Sequence, residues 1–308
     1  MNVKAEYDPK VDIAFKKIFG VERNKPLLIS LINSILEPKD HVKDITVINP
    51  YNEKEFETDK LSILDIKAKD LNGKRFNIEM QVTDANDYDK RALFYWAKTY
   101  VEQLQEAGKY TDLQKTIGIH FLNFPCIKNA KEFHNIFALR EIKNNNKDIY
   151  IFKNMEIHTL ELGKFFSKNT QDEVDMESLK NSINLWMTFL TKRKMLSDKD
   201  LSNLPEGLMV KRAIKEAEYM VMTEAERAMY DQHQKFLRDE ASAIDAAVRK
   251  TKEKLVQAEQ KAEAERQRAD RLQRQLEQVL QSVEKNKQKE IGASIDKDPT
   301  GNNTKKGE

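Results

Sequence analysis

Two short segments of alternating apolar and polar residues flank the run Asp70-Leu71-Asn72-Gly73, and this pattern predicts a β-hairpin. An aspartate at the first turn position and a glycine at the fourth are typical of a type I turn closing a three-residue loop, with Gly73 in the left-handed region. Residue 70 then lies opposite residue 74, so Asp65 lies opposite Glu79. A two-residue Asn-Gly loop would shift the register by one residue and separate these acids. We favour the three-residue loop because it alone brings the charged faces together.

Asp65 and Glu79 are therefore predicted to share one face of the hairpin, about 5 Å apart at Cβ. Two carboxylates at this distance repel each other unless a cation lies between them, and oxygen ligands favour Mg²⁺ or Mn²⁺. The hairpin predicts a metal site with two carboxylates. The alternative is a solvated sheet face on which both side chains point to water.

The composition limits the class of protein. A chain of 308 residues with 39% hydrophobic and 34% charged residues is typical of a compact core followed by long polar helices. A net charge of +2 means that partners must be recognised by local patches. Cys126 is the single cysteine, which excludes internal disulfides and zinc clusters built from thiolates. With neither a long apolar run nor a signal region in the sequence, we expect a cytoplasmic protein without a membrane partner.

The other periodic segments predict a helix, three strands, a helix and a strand, followed by weaker signals. Pro9 suits a helix start, Gly20 a helix end and Asn24 a helix cap. The predicted elements are helices at 8–20, 24–36 and 88–107, strands at 45–48, 61–69, 75–82 and 116–122, edge strands at 149–152 and 155–160, and helices at 172–194, 208–222 and from 223 onward.

The last helix changes character near Asp239. Of eleven positions spaced alternately three and four apart between residues 248 and 283, nine are apolar, which predicts a coiled coil and a homo-oligomer. Glu265 and several alanines weaken this seam, so a single solvated helix is the alternative. We expect four regions: a core at 1–165, a helical region at 166–238, a coiled-coil helix at 239–289 and a disordered tail at 290–308.

Three motifs, in this order, carry a resemblance to a known family: Asp8-Pro9-Lys10-Val11-Asp12-Ile13-Ala14-Phe15-Lys16-Lys17-Ile18-Phe19-Gly20, then Leu64-Asp65-Ile66, then Ile78-Glu79-Met80-Gln81. They resemble the Rpn-type recombination-promoting nucleases, also described as PD-(D/E)XK nuclease family transposases. The expected fold is α+β, with a restriction-endonuclease-like PD-(D/E)XK core, a mixed sheet flanked by helices, and a C-terminal helical and coiled-coil extension.

The resemblance implies a bacterial Mg²⁺-dependent DNA endonuclease. It implies that Asp65, Glu79 and the backbone carbonyl of Met80 bind the metal, and that Asp12 points into the same site. Gln81 stands where the wider superfamily has lysine. Its amide can orient a water or a phosphate oxygen but carries no charge, so Lys67, on the face of Asp65, is a candidate for the missing cation.

DNA is the expected partner, and its phosphates would be held by basic residues. Arg91 and Tyr95 lie one helical turn apart and can reach one site together. The alternative function is a catalytically silent DNA-binding or assembly protein that keeps the nuclease fold. The candidate DNA contacts are Lys10, Lys16, Lys17, Lys67, Lys90, Arg91, Tyr95 and Lys98.

Overall fold

The structure is a computed structural model that describes residues 7–48, 65–82, 87–104, 108–143, 151–168 and 175–295. It divides the chain into two compact units, Met1–Leu237 and Arg238–Glu308. The first unit contains a sheet and the helices that cover it. The described part of the second unit is a single helix.

The predicted hairpin forms with the predicted turn. β2 (Ile66–Asp70) pairs antiparallel with β3 (Arg75–Gln81), and Ile66 lies opposite Ile78. Asp70 closes the loop because its carboxylate accepts hydrogen bonds from the amides of residues 72 and 74, at 2.9 and 2.8 Å. Gly73 has a φ of 86°, which suits glycine and strains other residues. The three-residue loop is therefore confirmed, and its register, continued one step beyond β2, places Asp65 opposite Glu79.

The sheet has six strands in the order β1-β2-β3-β4-β6-β5. The first three strands are antiparallel, whereas β3, β4 and β6 run parallel, so the sheet is mixed as expected. Every residue of β4 is buried, which explains its nearly continuous apolar sequence. The remaining strands are β1 (Ile45–Val47), β4 (Thr116–Leu122), β5 (His134–Phe137) and β6 (Met155–Glu161).

Two predictions about the strands are wrong. The segment 155–160 forms β6, but β6 lies inside the sheet because the unpredicted β5 pairs with its outer side. Residues 151 and 152 are not in a strand, and residues 149 and 150 lie outside the described residues, as do 61–64 of the first hairpin segment. β5 escaped prediction because it is a short, partly exposed edge strand without clear alternation.

The N-terminal segment forms two helices, α1 (Asp12–Phe19) and α2 (Lys25–Ile35). α1 begins at Asp12, not at Pro9, which lies in a preceding turn. Asn24 occupies the cap position of α2, but its side chain donates to the carbonyl of Ile18 at 2.9 Å instead of capping. α3 (Tyr88–Val101) ends before the predicted residue 107.

The sheet shares one hydrophobic core with the helices that precede it in the sequence and with those that follow it. Phe15 of α1 packs against Phe121 of β4 with ring centroids 5.6 Å apart, and Trp186 is fully buried beside Phe19. The predicted helical region 166–238 therefore shares its core with the sheet. Its helices are α4 (Leu162–Lys168), α5 (Ser182–Lys192), α6 (Asp198–Ser202) and α7 (Gly207–Glu218).

The last helix, α8, spans Glu224–Ile295. Its start is the predicted capping box, in which the Thr223 amide donates to Glu226 and the Glu226 amide donates to the Thr223 hydroxyl. Residues 290–295, expected in the disordered tail, are helical, and residues 296–308 lie outside the described residues. In the part of α8 that lies in the second unit of the chain, several apolar side chains are exposed, among them Val248, Leu255, Leu272, Leu276, Val279 and Val283.

Candidate active site

Three acidic residues approach one another from three separate elements. Asp12 begins α1, Asp65 directly precedes β2, and Glu79 lies in β3. α1 contacts β3, and the hairpin register brings Asp65 to Glu79. The turn and the packing of α1 on the sheet thus bring together residues that are far apart in the sequence.

The surroundings of Asp12 and Glu79 disfavour the charged forms of their carboxyl groups. Burial raises the pKa of Asp12 to about 7, and the charges of Glu79 and Asp65 raise it further against the opposing effect of Arg91. Burial also raises the pKa of Glu79 to about 7, with Asp65 adding to the shift and Arg91 reducing it. Asp12 Oδ1 is buried and has no hydrogen-bond partner among the described residues. A cation between the carboxylates would relieve their repulsion.

The donor atoms fit a hard divalent cation. Carboxylate and carbonyl oxygens are what Mg²⁺ and Mn²⁺ prefer. Within the described residues, no three His, Cys, Asp or Glu side chains lie close enough to bind one ion together. Among the described residues, an ion at this site would therefore have at most two carboxylate ligands.

Lys16 lies inside this site and not on a DNA-binding surface, which corrects its predicted role. Its side chain is fully buried, and its ammonium donates a hydrogen bond to the backbone carbonyl of Asp65. Burial lowers the pKa of Lys16 to about 8, although the charge of Asp65 opposes this shift. The sequence did carry a signal, because Lys16 follows Asp12 by four residues and so shares its helical face.

Lys17, another predicted DNA contact, is also largely withdrawn from solvent and is paired within the protein. Its ammonium lies 2.7 Å from the carboxylate of Glu226, and the two side chains are 10% and 1% exposed. Lys17 therefore joins α1 to the first turn of α8.

The profile of the PD-(D/E)XK nuclease family transposases matches residues 9–247, which is most of the chain. The chain belongs to this family. The match includes all three acids and the whole sheet, and the predicted fold class and family are confirmed. No curated protein matches the chain, and neither does any solved structure.

Membership of the PD-(D/E)XK nuclease family transposases supports a nuclease-like or transposase-like role. PD-(D/E)XK nucleases generally use divalent metal ions, in agreement with the oxygen donors at the site. As for membranes, every helix in the described part of the chain is too short or too polar to cross a bilayer.

Gln81, the departure from the lysine of the PD-(D/E)XK superfamily, contacts an arginine. Arg91 Nη2 lies 3.4 Å from Gln81 Oε1 and 3.6 Å from Glu79 Oε1, because α3 packs on the face of β3 that carries both residues. Lys67, the predicted substitute cation, forms an ion pair with Glu102 at 3.1 Å. The guanidinium of Arg91 thus places a positive charge beside Gln81.

The other predicted DNA contacts remain near the surface. Lys90 and Lys98 are exposed and lie two turns apart on α3, and Tyr95 is half-buried between them. Lys10 forms an ion pair with Asp8 at 3.1 Å. α3 is thus the element that presents basic groups next to the acids.

Two histidines also lie beside the acids. His120 Nδ1 is 3.9 Å from Glu79 Oε2, and His233 Nδ1 is 3.8 Å from Asp12 Oδ2. Burial lowers the pKa of His120 to about 4, so its ring is neutral at pH 7. His120 could have been noticed because it is a polar residue in the middle of a wholly buried strand.

Proposed function

We propose that this chain is a metal-dependent DNA endonuclease that hydrolyses phosphodiester bonds in DNA recombination or on a mobile element. The observation that carries the proposal is the meeting of Asp12, Asp65 and Glu79 at one mostly buried place, where burial first and their mutual repulsion second raise the pKa values of Asp12 and Glu79. A purely structural role gives no reason to bring three acids together at this cost. Family membership points to the same class of activity.

In this proposal, Asp65, Glu79 and the Met80 carbonyl hold Mg²⁺, or Mn²⁺ in its place. The ion, when bound, supplies a water of lowered pKa and neutralises charge on the scissile phosphate. Asp12, with a pKa of about 7, can accept or release a proton near neutral pH. Gln81, hydrogen-bonded to Arg91, orients a phosphate oxygen or a water through its amide.

DNA is the proposed partner, and α3 is its proposed binding surface. Lys90 and Lys98 are exposed there, and Arg91, with 39% of its side chain exposed, reaches from the same helix to Glu79. A phosphate held by these groups would lie next to the acids. Because phosphate contacts release counterions, binding should weaken steeply as salt is raised.

Supercoiled plasmid tests the activity. Wild type is expected to nick the plasmid with Mg²⁺ or Mn²⁺ but not in EDTA, and Asp65→Asn and Glu79→Gln are expected to lose nicking while keeping DNA binding. Glu259→Gln, which removes an exposed carboxylate from α8, is the matched control and should nick like wild type. Equal nicking by both site variants would indicate a contaminant or another site. DNA binding without nicking under any metal would favour the silent DNA-binding alternative.

We also propose that α8 pairs with a second copy of the chain. Six exposed apolar side chains of α8 fall on the positions that alternate three and four apart, namely Val248, Leu255, Leu272, Leu276, Val279 and Val283. Leu272, Leu276 and Val279 are each more than half exposed. Such a seam is stable in water when another helix covers it. Light scattering after size exclusion should give a multiple of 35.9 kDa for wild type. Leu272→Glu with Leu276→Glu should give the monomer mass, and a monomeric wild type would favour the single solvated helix.

A further inference from the structure

Lys16 is the most unusual side chain near the acids. It is 0% exposed, and it is one of the largest fully buried side chains described. Lysine is almost never fully buried unless its ammonium is paired, because removing the charge from water is costly. A buried lysine one turn from Asp12 on α1 therefore needs a reason.

Its ammonium makes a specific contact with the site. Nζ of Lys16 donates to the backbone carbonyl of Asp65, the residue just before β2 begins. This contact ties α1 to the start of β2, at the point where Asp65 must be placed opposite Glu79. It acts on the backbone of Asp65, so it fixes where the residue lies.

Gly20 makes room for the lysine stem. A Cβ added at Gly20 would lie 2.7 Å from both Cδ and the backbone carbonyl oxygen of Lys16 and 3.0 Å from its Cε, and a contact of 2.7 Å is closer than real Cβ atoms come. The φ of Gly20 is −91°, which any residue tolerates, so the glycine is needed for space and not for backbone freedom. Two positions on α1 thus serve the same contact.

The other cations near the site have different partners. Arg91 contacts Gln81 and Glu79 and is 39% exposed, and Lys67 pairs with Glu102. Gln81 itself carries no charge. Among the described residues, Lys16 is a lysine whose side chain is fully buried and whose ammonium donates a hydrogen bond to Asp65.

We propose that Lys16 is a positioning residue that holds the backbone of Asp65 in place for metal and substrate. This inference rests on the proposed endonuclease function. It assigns Lys16 no contact with DNA, because the side chain does not reach solvent. Its effect passes through Asp65.

The test compares Lys16→Met, which keeps the bulk and removes the charge, with Lys16→Arg, which keeps a donor. Lys16→Met should lower the nicking rate about 100-fold, the scale expected when a reacting group is misplaced by about 1 Å. It should also weaken Mn²⁺ binding, measured by calorimetry without DNA, about 10-fold, as loss of a residue supporting a metal ligand does. Lys16→Arg should retain more of both properties than Lys16→Met.

The sign of the Mn²⁺ effect separates positioning from simple electrostatics. If Lys16 were only a nearby positive charge, removing it would strengthen the binding of a cation. Weaker Mn²⁺ binding by Lys16→Met therefore supports positioning, whereas unchanged or tighter binding overturns it. DNA binding should stay the same in both variants.

Gly20→Ala displaces Lys16 without replacing it, because its Cβ would press on both the stem and the backbone carbonyl of Lys16, and it serves as the second variant if Lys16→Met fails to fold. It should reduce nicking and Mn²⁺ binding in the same direction as Lys16→Met. Gly163→Ala is the matched control, because a Cβ there meets nothing within 4 Å, and it should behave like wild type. A wild type that never cleaves overturns the proposed function. A cleaving wild type with equally active Lys16→Met and Gly20→Ala variants overturns this inference alone.

Discussion

Lys17 Nζ lies 2.7 Å from each carboxylate oxygen of Glu226, and both side chains are almost wholly buried. The same carboxylate accepts the Thr223 amide at 2.7 Å, so it also caps α8. One residue thus starts the last helix and neutralises a buried charge on the first.

Glu226→Gln is expected to destabilise the protein by about 3 kcal/mol, because breaking a buried ion pair takes a counter-charge away from Lys17. Urea denaturation at pH 7 measures the change. Glu224→Gln removes an exposed carboxylate from the same helical turn and should change the free energy of unfolding by less than about 0.5 kcal/mol. Similar values for the two variants would mean that the Lys17 pair adds no stability.

Asp12→Asn is expected to stabilise the protein at pH 8 but not at pH 4.5. The folded pKa of Asp12 is raised from 3.8 to about 7, so its contribution to stability is full below pH 3.8 and is lost as the pH rises through 7. Allowing for a side chain that is 26% exposed, the gain at pH 8 should be about 2 kcal/mol. Urea denaturation in EDTA measures it, and an equal effect at both pH values would show that Asp12 is not the titrating group.

His120→Gln is expected to reduce the loss in the free energy of unfolding as the pH falls. The folded pKa of His120 is lowered from 6.5 to about 4, so the unfolded chain binds more protons between these values and wild type loses stability as the pH falls through this window. The loss assigned to His120 should reach about 2 kcal/mol by pH 4.5. The difference between wild type and variant, measured at pH 7.5 and pH 4.5, isolates it from Asp12, whose effect has the opposite sign. A constant difference would contradict the shift.

Gln81→Lys is expected to lower nicking about 10-fold, although it restores the lysine of the wider superfamily. An ammonium at this position cannot accept the hydrogen bond from Arg91 and repels its guanidinium. Combining it with Arg91→Ala should recover part of the activity, which a double-mutant cycle would detect. Higher activity of Gln81→Lys alone would mean that Arg91 and Gln81 do not act together.

The hairpin was predictable because its register depends on local chemistry. An aspartate and a glycine in a four-residue run determine the loop, and the loop determines that Asp65 lies opposite Glu79. The same is true of β4, where an apolar run can only be a buried strand, and of the capping box that starts α8. In each case the residues that decide the structure are neighbours in sequence.

The errors concern residues whose environment is made by distant elements. Lys16 and Lys17 look like surface charges in α1, and only the start of β2 and the first turn of α8 make them interior. The sequence of β6 does not show that its outer side is paired, because the pairing strand, β5, comes from a different segment. The contact of Arg91 with Gln81 likewise depends on how α3 packs on the sheet.

The joining of α1 to the start of α8 has a consequence for synthesis. The Tyr230 hydroxyl accepts a hydrogen bond from the Asp8 amide at 2.7 Å, and Asp12 lies beside His233. Together with Tyr7 and Lys17, four residues of the N-terminal segment contact residues that come more than 200 positions later in the chain. A chain still emerging from the ribosome lacks these partners. The contacts that hold the N-terminal segment, including the one between Asp12 and His233, therefore form only after almost the whole first unit has been polymerised.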